Sequence, residues 1–463
     1  MDNNSIFELQ HWLIKKIADC EKKPAIVFKG RQYTYTDLFS VILSQKKFLE
    51  KNNIRSKEIV ALISDYSLES IGLFLALVEN KNIIVPIASR VKNEIELKLQ
   101  EAFVEKKIVI EGGMTTVTEL EYKSENHPLI KKLQHEQCSG LVLFSSGSTG
   151  KPKAMLHDLD NLLEAYKLKK QRDSSLLGFL MFDHIGGIHT MFSVLACGAK
   201  LVIPENRKVD YISQLISEHK VNLLPASPTF LNLLLISEAY KRFDFSSLEM
   251  ITYGTEPMPE GLLKRLKSFF PAIKFLQTFG TSETGITRTV SRSSDSNFLK
   301  LDDPNVEYKI INGELWLKSK IQILGYLNHD MNNFTEDGWY KTGDLIEQAD
   351  DGYLRIIGRE IEVINVGGEK VLPIEVESIL LEMPEISDCL VKGEKNMITG
   401  QIVSADVVLA ENVDPKIIRN KIRMFCKTRI DNYKIPLRVN VINDVKFGSR
   451  FKKLRLEEAK TDG

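Results

Sequence analysis

The segment from Leu141 to Lys153 constrains this chain more than any other. Leu141, Val142, Leu143 and Phe144 form an unbroken apolar run that reads as a buried strand. Directly behind it, Ser145, Ser146, Gly147, Ser148, Thr149, Gly150 and Lys151 put four hydroxyls, two glycines and a lysine into seven residues. Such a loop suits an oligophosphate. Glycines let backbone N–H groups turn toward the ligand, hydroxyls add donors, and the lysine adds charge. It is not a Walker loop, because two residues separate Gly147 from Gly150 and Pro152 stands where Ser or Thr would follow the lysine. Pro152 also argues against a helix running straight on from the loop. A Ser/Gly run taken alone is equally a flexible connector; the strand before it and the Gly-Lys-Pro-Lys behind it make this one specific.

Other apolar runs, at 59–63, 83–85, 108–110, 200–203, 250–253 and 275–279, read as further buried strands. Helical patterns lie between them, among them 158–169, where Leu159, Leu162, Leu163 and Tyr166 share a face and Asp158 can cap the start. That alternation predicts an α/β fold up to about residue 355. Residues 291–304 read as a loop, and a β-rich stretch starts at Gly313. The pattern then changes: strands at 361–366, 389–391 and 402–409 interleave with helices at 374–382 and 415–428, as in a small α+β domain. A large domain over 1–358 and a small one over 359–463 are expected, since 463 residues exceed one ordinary domain.

Composition narrows the partners. Lys plus Arg and Asp plus Glu both number 62, so the net charge is zero, which argues against nucleic acid as the main partner, although a basic patch near the C-terminus stays open. Five scattered cysteines with no C-x-x-C pair read as thiols in a reducing compartment. The N-terminus has no signal-peptide pattern, and the apolar run 71–78 is too short for a membrane span. A cytoplasmic protein is the expectation.

Several further segments carry chemistry. In 277–284, Phe279, Gly280, Thr281 and Ser282 lead to Glu283, a carboxylate set between two hydroxyls. A strand ending in a capped turn would account for Phe279 and Gly280 but not for that carboxylate. Tyr253, Gly254, Thr255 and Glu256 lie upstream. Asp344, after Gly343, is a turn residue when read alone, yet a carboxylate is also the natural partner of a vicinal diol, because both its oxygens accept. Gly358-Arg359 and the pair Gly367-Gly368 follow.

In this order, from Tyr33 to Arg455, these segments resemble the acyl-adenylate-forming (AMP-binding) enzyme superfamily of acyl-CoA synthetases, peptide-synthetase adenylation domains and firefly luciferase. The chain is most similar to the acyl-CoA synthetases. The resemblance implies a large multi-sheet domain with a small mobile C-terminal domain. It also implies ATP bound by Ser145 to Lys151, Gly254, Thr255, Glu256, Phe279, Gly280, Thr281, Ser282, Asp344 and Arg359. Glu283 would hold Mg²⁺, Asp344 the ribose, and Gly367 and Gly368 a tunnel for the thiol of CoA. His184, Gly186, Gly187 and Tyr253 would form the acid pocket, the two glycines leaving room for an acyl chain. Phe182-Asp183 also resembles amino-acid adenylation domains, whose Asp pairs with an ammonium, though less closely than His184-Ile185-Gly186-Gly187 resembles a synthetase. His184 as a metal ligand has no second ligand at helical spacing.

Counting from Tyr433-Lys434-Ile435-Pro436 at the family's spacing brings Lys452 onto the catalytic lysine and Arg455 onto the arginine that follows it, with Lys453 as a competitor. The family's glycine before that lysine is Phe451 here, its proline is Lys446, and its polar hinge residue is Ile361. The reaction so implied is ATP-dependent joining of a carboxylic acid to CoA through an acyl-adenylate. A separate carrier protein as acceptor, and a non-catalytic nucleotide-binding homologue, are the alternatives.

Overall fold

The computed structural model describes residues 10–122, 127–145, 151–410, 413–448 and 451–454. Strands apolar on both faces need cover on both, and the N-terminal part of the chain supplies it by stacking two seven-stranded sheets with helices between and around them. In one sheet the strands run, side by side, Gly325–Tyr326, Lys153–Asp158, Gly140–Ser145, Ile83–Ile87, Ile59–Ile63, Lys106–Glu111 and Met114–Glu119. Its four inner strands are mutually parallel, and antiparallel strands close both edges. The other sheet runs Lys274–Gln277, Met250–Tyr253, Leu223–Ala226, Ser175–Leu177, Lys200–Ile203, Pro24–Phe28 and Arg31–Thr34.

The run 71–78 belongs to the helix Leu68–Glu79, whose residues 70 to 78 are all buried. A helix apolar all round can sit only inside the protein, and this one packs with Ile185–Cys197 in the main core. A third, six-stranded antiparallel sheet holds Tyr340–Gln348 and Leu354–Arg359 at its centre. Beyond it lies a five-stranded sheet drawn wholly from residues after Glu360, backed by the helices Pro373–Leu380 and Pro415–Lys427. The α/β expectation with a small α+β C-terminal domain holds.

Local departures have tertiary causes. The helix expected over 158–169 spans only Leu159–Glu164, capped by Asp158 as anticipated. The chain then turns so that the Tyr166 hydroxyl reaches Nδ1 of the half-buried His189 at 2.8 Å. The run 275–279 breaks into Lys274–Gln277 and Phe279–Thr281, because Thr278 folds back on the Tyr253 carbonyl with both N–H and hydroxyl. Phe298–Leu301, expected to be loop, pairs as a strand with Leu354–Arg359. The stretch 361–366 opens as a 3-10 turn at Glu360–Glu362, leaving Ile361 69% exposed at the junction.

The two domains meet closely. The helix Glu260–Phe269 lies against Pro373–Leu380, where the Glu260 N–H donates to the Ser378 hydroxyl (3.1 Å) and Lys264 pairs with Glu382 (3.0 Å). A Cβ on Gly261 would stand 2.6 Å from the Ser378 carbonyl oxygen. Glycine is what permits that approach.

Candidate active site

Most segments singled out in the sequence end a strand or turn between two. Ser145 closes the strand Gly140–Ser145, and Lys151 precedes Lys153–Asp158, so a strand, not a helix, follows Pro152. Lys151 is 72% exposed, with its ammonium 3.8 Å from Glu101. Ser146, Gly147, Ser148, Thr149 and Gly150 lie outside the described residues, as does Arg455.

The hairpin formed by Phe279–Thr281 and Gly285–Thr287 carries Ser282 and Glu283 at its tip. Its turn is pinned by the Thr281 hydroxyl, which accepts from the Thr284 N–H at 3.0 Å and lies 2.9 Å from the Thr284 hydroxyl. Gly280 is obligatory, because a Cβ there would lie 2.6 Å from the Gly285 carbonyl. The Glu283 carboxylate accepts from the Tyr326 hydroxyl at 3.1 Å. Burial, followed by the nearby Glu283 charge, pushes both the Tyr326 and Tyr340 phenols far up, so they remain donors.

Asp344 and Arg359 close another side. The Asp344 carboxylate, 9% exposed, receives Nε of Arg359 at 3.1 Å. Burial pushes the Asp344 carboxyl up, while the charges of Arg359 and Lys452 pull it partly back. Arg359 is raised, chiefly by Asp344. Lys452 therefore lies within electrostatic reach of Asp344, whose environment Glu283 also affects.

Lys452 lines a small cleft with Phe179, Leu180, Met181, His184, Arg207, Thr255 and Phe451. Thr255 has φ +73°, and its hydroxyl is buried without a partner, poised for a ligand atom. Arg207 is committed to the protein: it clasps Asp65 at 2.8 and 3.4 Å and the Phe179 carbonyl at 2.6 Å. Phe451 takes φ +52°, the left-handed conformation that the glycine it replaces adopts freely. Its ring packs on Phe179, Phe230 and Phe447, at centroid distances of 5.3, 5.6 and 5.2 Å, which offsets the backbone cost. The substitution thus keeps the backbone course and leaves Lys452 in the cleft. Lys453 points elsewhere, into an ion pair with Asp388 at 2.7 Å.

Other residues expected in the site have partners within the protein. A Cβ on Gly187 would lie 1.9 Å from the Met181 carbonyl, and one on Gly186 would lie 2.8 Å from the Leu180 side chain, so both glycines admit a close approach of the chain to itself. They let the segment before the helix Ile185–Cys197 fold onto its first turn. His184 caps that helix, its Nδ1 accepting from the Gly186 N–H at 3.1 Å. Tyr253 is 1% exposed, with its hydroxyl directed at Asn297 and away from the cleft. Glu256 accepts from the Thr229 N–H (2.8 Å) and hydroxyl, and faces the domain interface. Asp183 faces Lys98 at 3.7 Å and the Ala88 N–H at 3.3 Å, and Phe182 packs against Tyr66 and Phe74. Neither lines the Lys452 cleft, so the amino-acid pattern gains nothing from them. Gly367 and Gly368, at φ +62° and +97°, turn the hairpin Ile364–Val366/Glu369–Val371 and also lie outside that cleft.

Sequence reading missed Tyr326, Thr229 and Asp388. Each acts through a partner distant in the chain, and none sits in a motif that marks it. Cys20, Cys389 and Cys426 are buried and all five cysteines are free thiols. Among the described residues no group of three or more potential ligands could hold a metal by protein atoms alone, and no helix is long and apolar enough to cross a membrane.

Comparison with known proteins agrees with this architecture. The family model described as AMP-binding enzyme matches residues 14–327, and that described as AMP-binding enzyme C-terminal domain matches 375–447. A 2-succinylbenzoate–CoA ligase from Listeria innocua is 24% identical, the match covering 94% of this chain and 95% of the relative. Among solved structures, an anthranilate CoA ligase in complex with anthranoyl-AMP superposes with a TM-score of 0.82 at 20% identity, covering 97% of this chain and 96% of that one. The o-succinylbenzoate CoA synthetase of Bacillus subtilis, in complex with ATP and magnesium ion, gives 0.76 at 22% identity, covering 96% and 98%.

Proposed function

The chain belongs to the AMP-binding enzyme family, and from that premise we propose that it joins a carboxylic acid to CoA at the expense of ATP, releasing AMP and pyrophosphate. The observation that carries this reading is the position of Lys452, in a cleft beside the unpartnered Thr255 hydroxyl and within reach of the Asp344 carboxylate.

In the first step a carboxylate oxygen of the acid attacks the α-phosphorus of ATP in line, and the bond to the pyrophosphate oxygen breaks. Side chains have little bond chemistry to do here, so catalysis is positioning and charge stabilisation. Lys452 lies against the carboxylate and the α-phosphate oxygens, where negative charge concentrates. Asp344 accepts from the ribose hydroxyls, with Arg359 keeping its carboxylate ionised and oriented. Phe279 and Thr255 bound the nucleotide, and Ser145 to Lys151 hold the departing pyrophosphate. Glu283 suits Mg²⁺, which takes one or two carboxylates beside phosphate oxygens and water, and Tyr326 fixes that carboxylate. When bound, the ion neutralises phosphate charge. In the second step the CoA sulfur attacks the mixed anhydride and AMP leaves. We place the domain boundary between 358 and 359. The hairpin at Gly367 and Gly368, outside the Lys452 cleft, is brought in by rotation of the small domain for this step.

The test is a panel of aliphatic and aromatic acids offered with ATP and Mg²⁺, scored by pyrophosphate release and then by thioester formation with CoA alone. Acid-dependent release followed by a CoA thioester is expected. ATP binding without release for any acid would make the chain a non-catalytic homologue, and adenylate formation without a CoA thioester would move the acceptor to a carrier protein.

A further inference from the structure

The two lysines at the end of the described chain are adjacent but face different surroundings. Lys452 looks into the cleft, while the Lys453 side chain is 9% exposed and ends between Asp388 Oδ1 at 2.7 Å and the Cys389 carbonyl at 2.6 Å. Asp388 is 8% exposed and also accepts from the Cys389 N–H at 2.9 Å. The Lys453 backbone N–H turns to the large domain, 3.4 Å from Glu256, whose other carboxylate oxygen holds the start of the helix Pro228–Ile236 through Thr229. One residue is thus gripped by both domains. On its other side Lys452 is preceded by Phe451, whose ring sits on Phe179 and Phe230 of the large domain. The Gly448 N–H donates to the Lys452 carbonyl at 3.0 Å, and Phe447 makes an antiparallel bridge to Lys453.

We propose that Lys453 is a positioning residue for adenylation, its buried pair with Asp388 holding the backbone at 452–453 so that Lys452 is aimed at the reacting phosphate. This rests on the reading of Lys452 given above. A lysine side chain is long and flexible, so one at the end of a chain must be held from its backbone if it is to stabilise a particular charge. A buried ammonium paired to a buried carboxylate does this in a directional way, because leaving either charge alone in that surround is strongly unfavourable. The grip matters only while the small domain stands as it does here. Once that domain rotates for the thiol step, the contact with Glu256 is lost and Lys452 is carried away.

The experiment compares two half-reactions in Lys453→Met and Asp388→Asn: acid-dependent pyrophosphate exchange, and thioester formation from a supplied acyl-adenylate. Asp388→Asn is nearly isosteric and keeps an oxygen for the Cys389 N–H, so it serves if Lys453→Met folds poorly, and the thiol step reports folding in both. The expected result is a fall of about 100-fold in kcat for exchange, the scale of a misplaced catalytic group, with the KM for ATP within about twofold and the thiol step within about threefold of wild type. Exchange near the wild-type rate, or equal losses in both half-reactions of Asp388→Asn, overturns the proposal while leaving the ligase reading intact. Absence of exchange in the wild type with every acid overturns both.

Discussion

Asp344 and Arg359 are directly opposed in the pairing of Tyr340–Gln348 with Leu354–Arg359, and their side chains meet at 3.1 Å at the last residue of the second strand. The register places a carboxylate and its counter-ion together at the edge of the small domain. Replacing the carboxylate by an amide removes a charged acceptor from the ribose. Asp344→Asn is expected to raise the KM for ATP about 10- to 100-fold, the scale of one charge-assisted hydrogen bond, in steady-state kinetics with acid and CoA saturating.

The same pair gives a pH dependence. Burial holds the Asp344 carboxyl above the ordinary aspartate range, and Arg359 opposes that shift. As pH falls through the raised value the carboxylate takes a proton and loses acceptor capacity, so kcat/KM for ATP should decline on an acid limb that lies above the ordinary aspartate range. In Arg359→Ala that limb should move to higher pH. A limb that moves down, or stays fixed, would exclude Asp344 as its origin.

Lys452→Ala removes positive charge from the site where negative charge gathers. Acid-dependent pyrophosphate exchange should drop by about 10²- to 10³-fold, as for loss of one preorganised donor, whereas thioester formation from supplied acyl-adenylate is retained. Equal exchange rates in mutant and wild type would falsify the assignment.

Tyr326 donates to the carboxylate expected to meet Mg²⁺. Tyr326→Phe deletes only that hydroxyl. The Mg²⁺ concentration giving half-maximal exchange is expected to rise about tenfold, the usual scale for an outer partner of a metal ligand, with kcat recovered at saturating Mg²⁺. Unchanged Mg²⁺ dependence would remove Tyr326, and weaken Glu283, as parts of the metal site.

Two histidines, His157 and His189, weaken the fold at acid pH. Burial lowers His157 to about 4 and His189 to about 3. Both folded values lie below the unfolded one, so nothing is lost above pH ~6.5, and stability falls as pH drops further because only the unfolded chain binds those protons. Each contributes about 2 kcal/mol of destabilisation by pH ~5. Urea unfolding of His157→Leu should show a smaller difference between pH 7 and pH 5 than the wild type, by about that amount.

Much of the site was legible because its chemistry is local. A strand followed by hydroxyls and glycines, a carboxylate between hydroxyls at Glu283, and an Asp after Gly343 each announce a turn offering a certain kind of donor or acceptor within a few residues. The apolar runs likewise located most strands, since burial on both faces leaves an unbroken hydrophobic signature. Gly186 and Gly187 were less legible, because a glycine says only that something comes close. The structure shows that it is the chain's own backbone at Met181.

The sequence by itself determined the strands, the order of the loops and the supply of hydroxyls and carboxylates at their ends. Only the tertiary structure decided which of Lys452 and Lys453 faces the cleft. Neighbouring residues in a turn carry the same charge and share one local context, so nothing nearby distinguishes them. What separates them is Asp388, which lies 65 residues earlier and buries one ammonium while the other lines the cleft. The long-range contact that gives them different surroundings exists only after folding has brought both ends of that interval together.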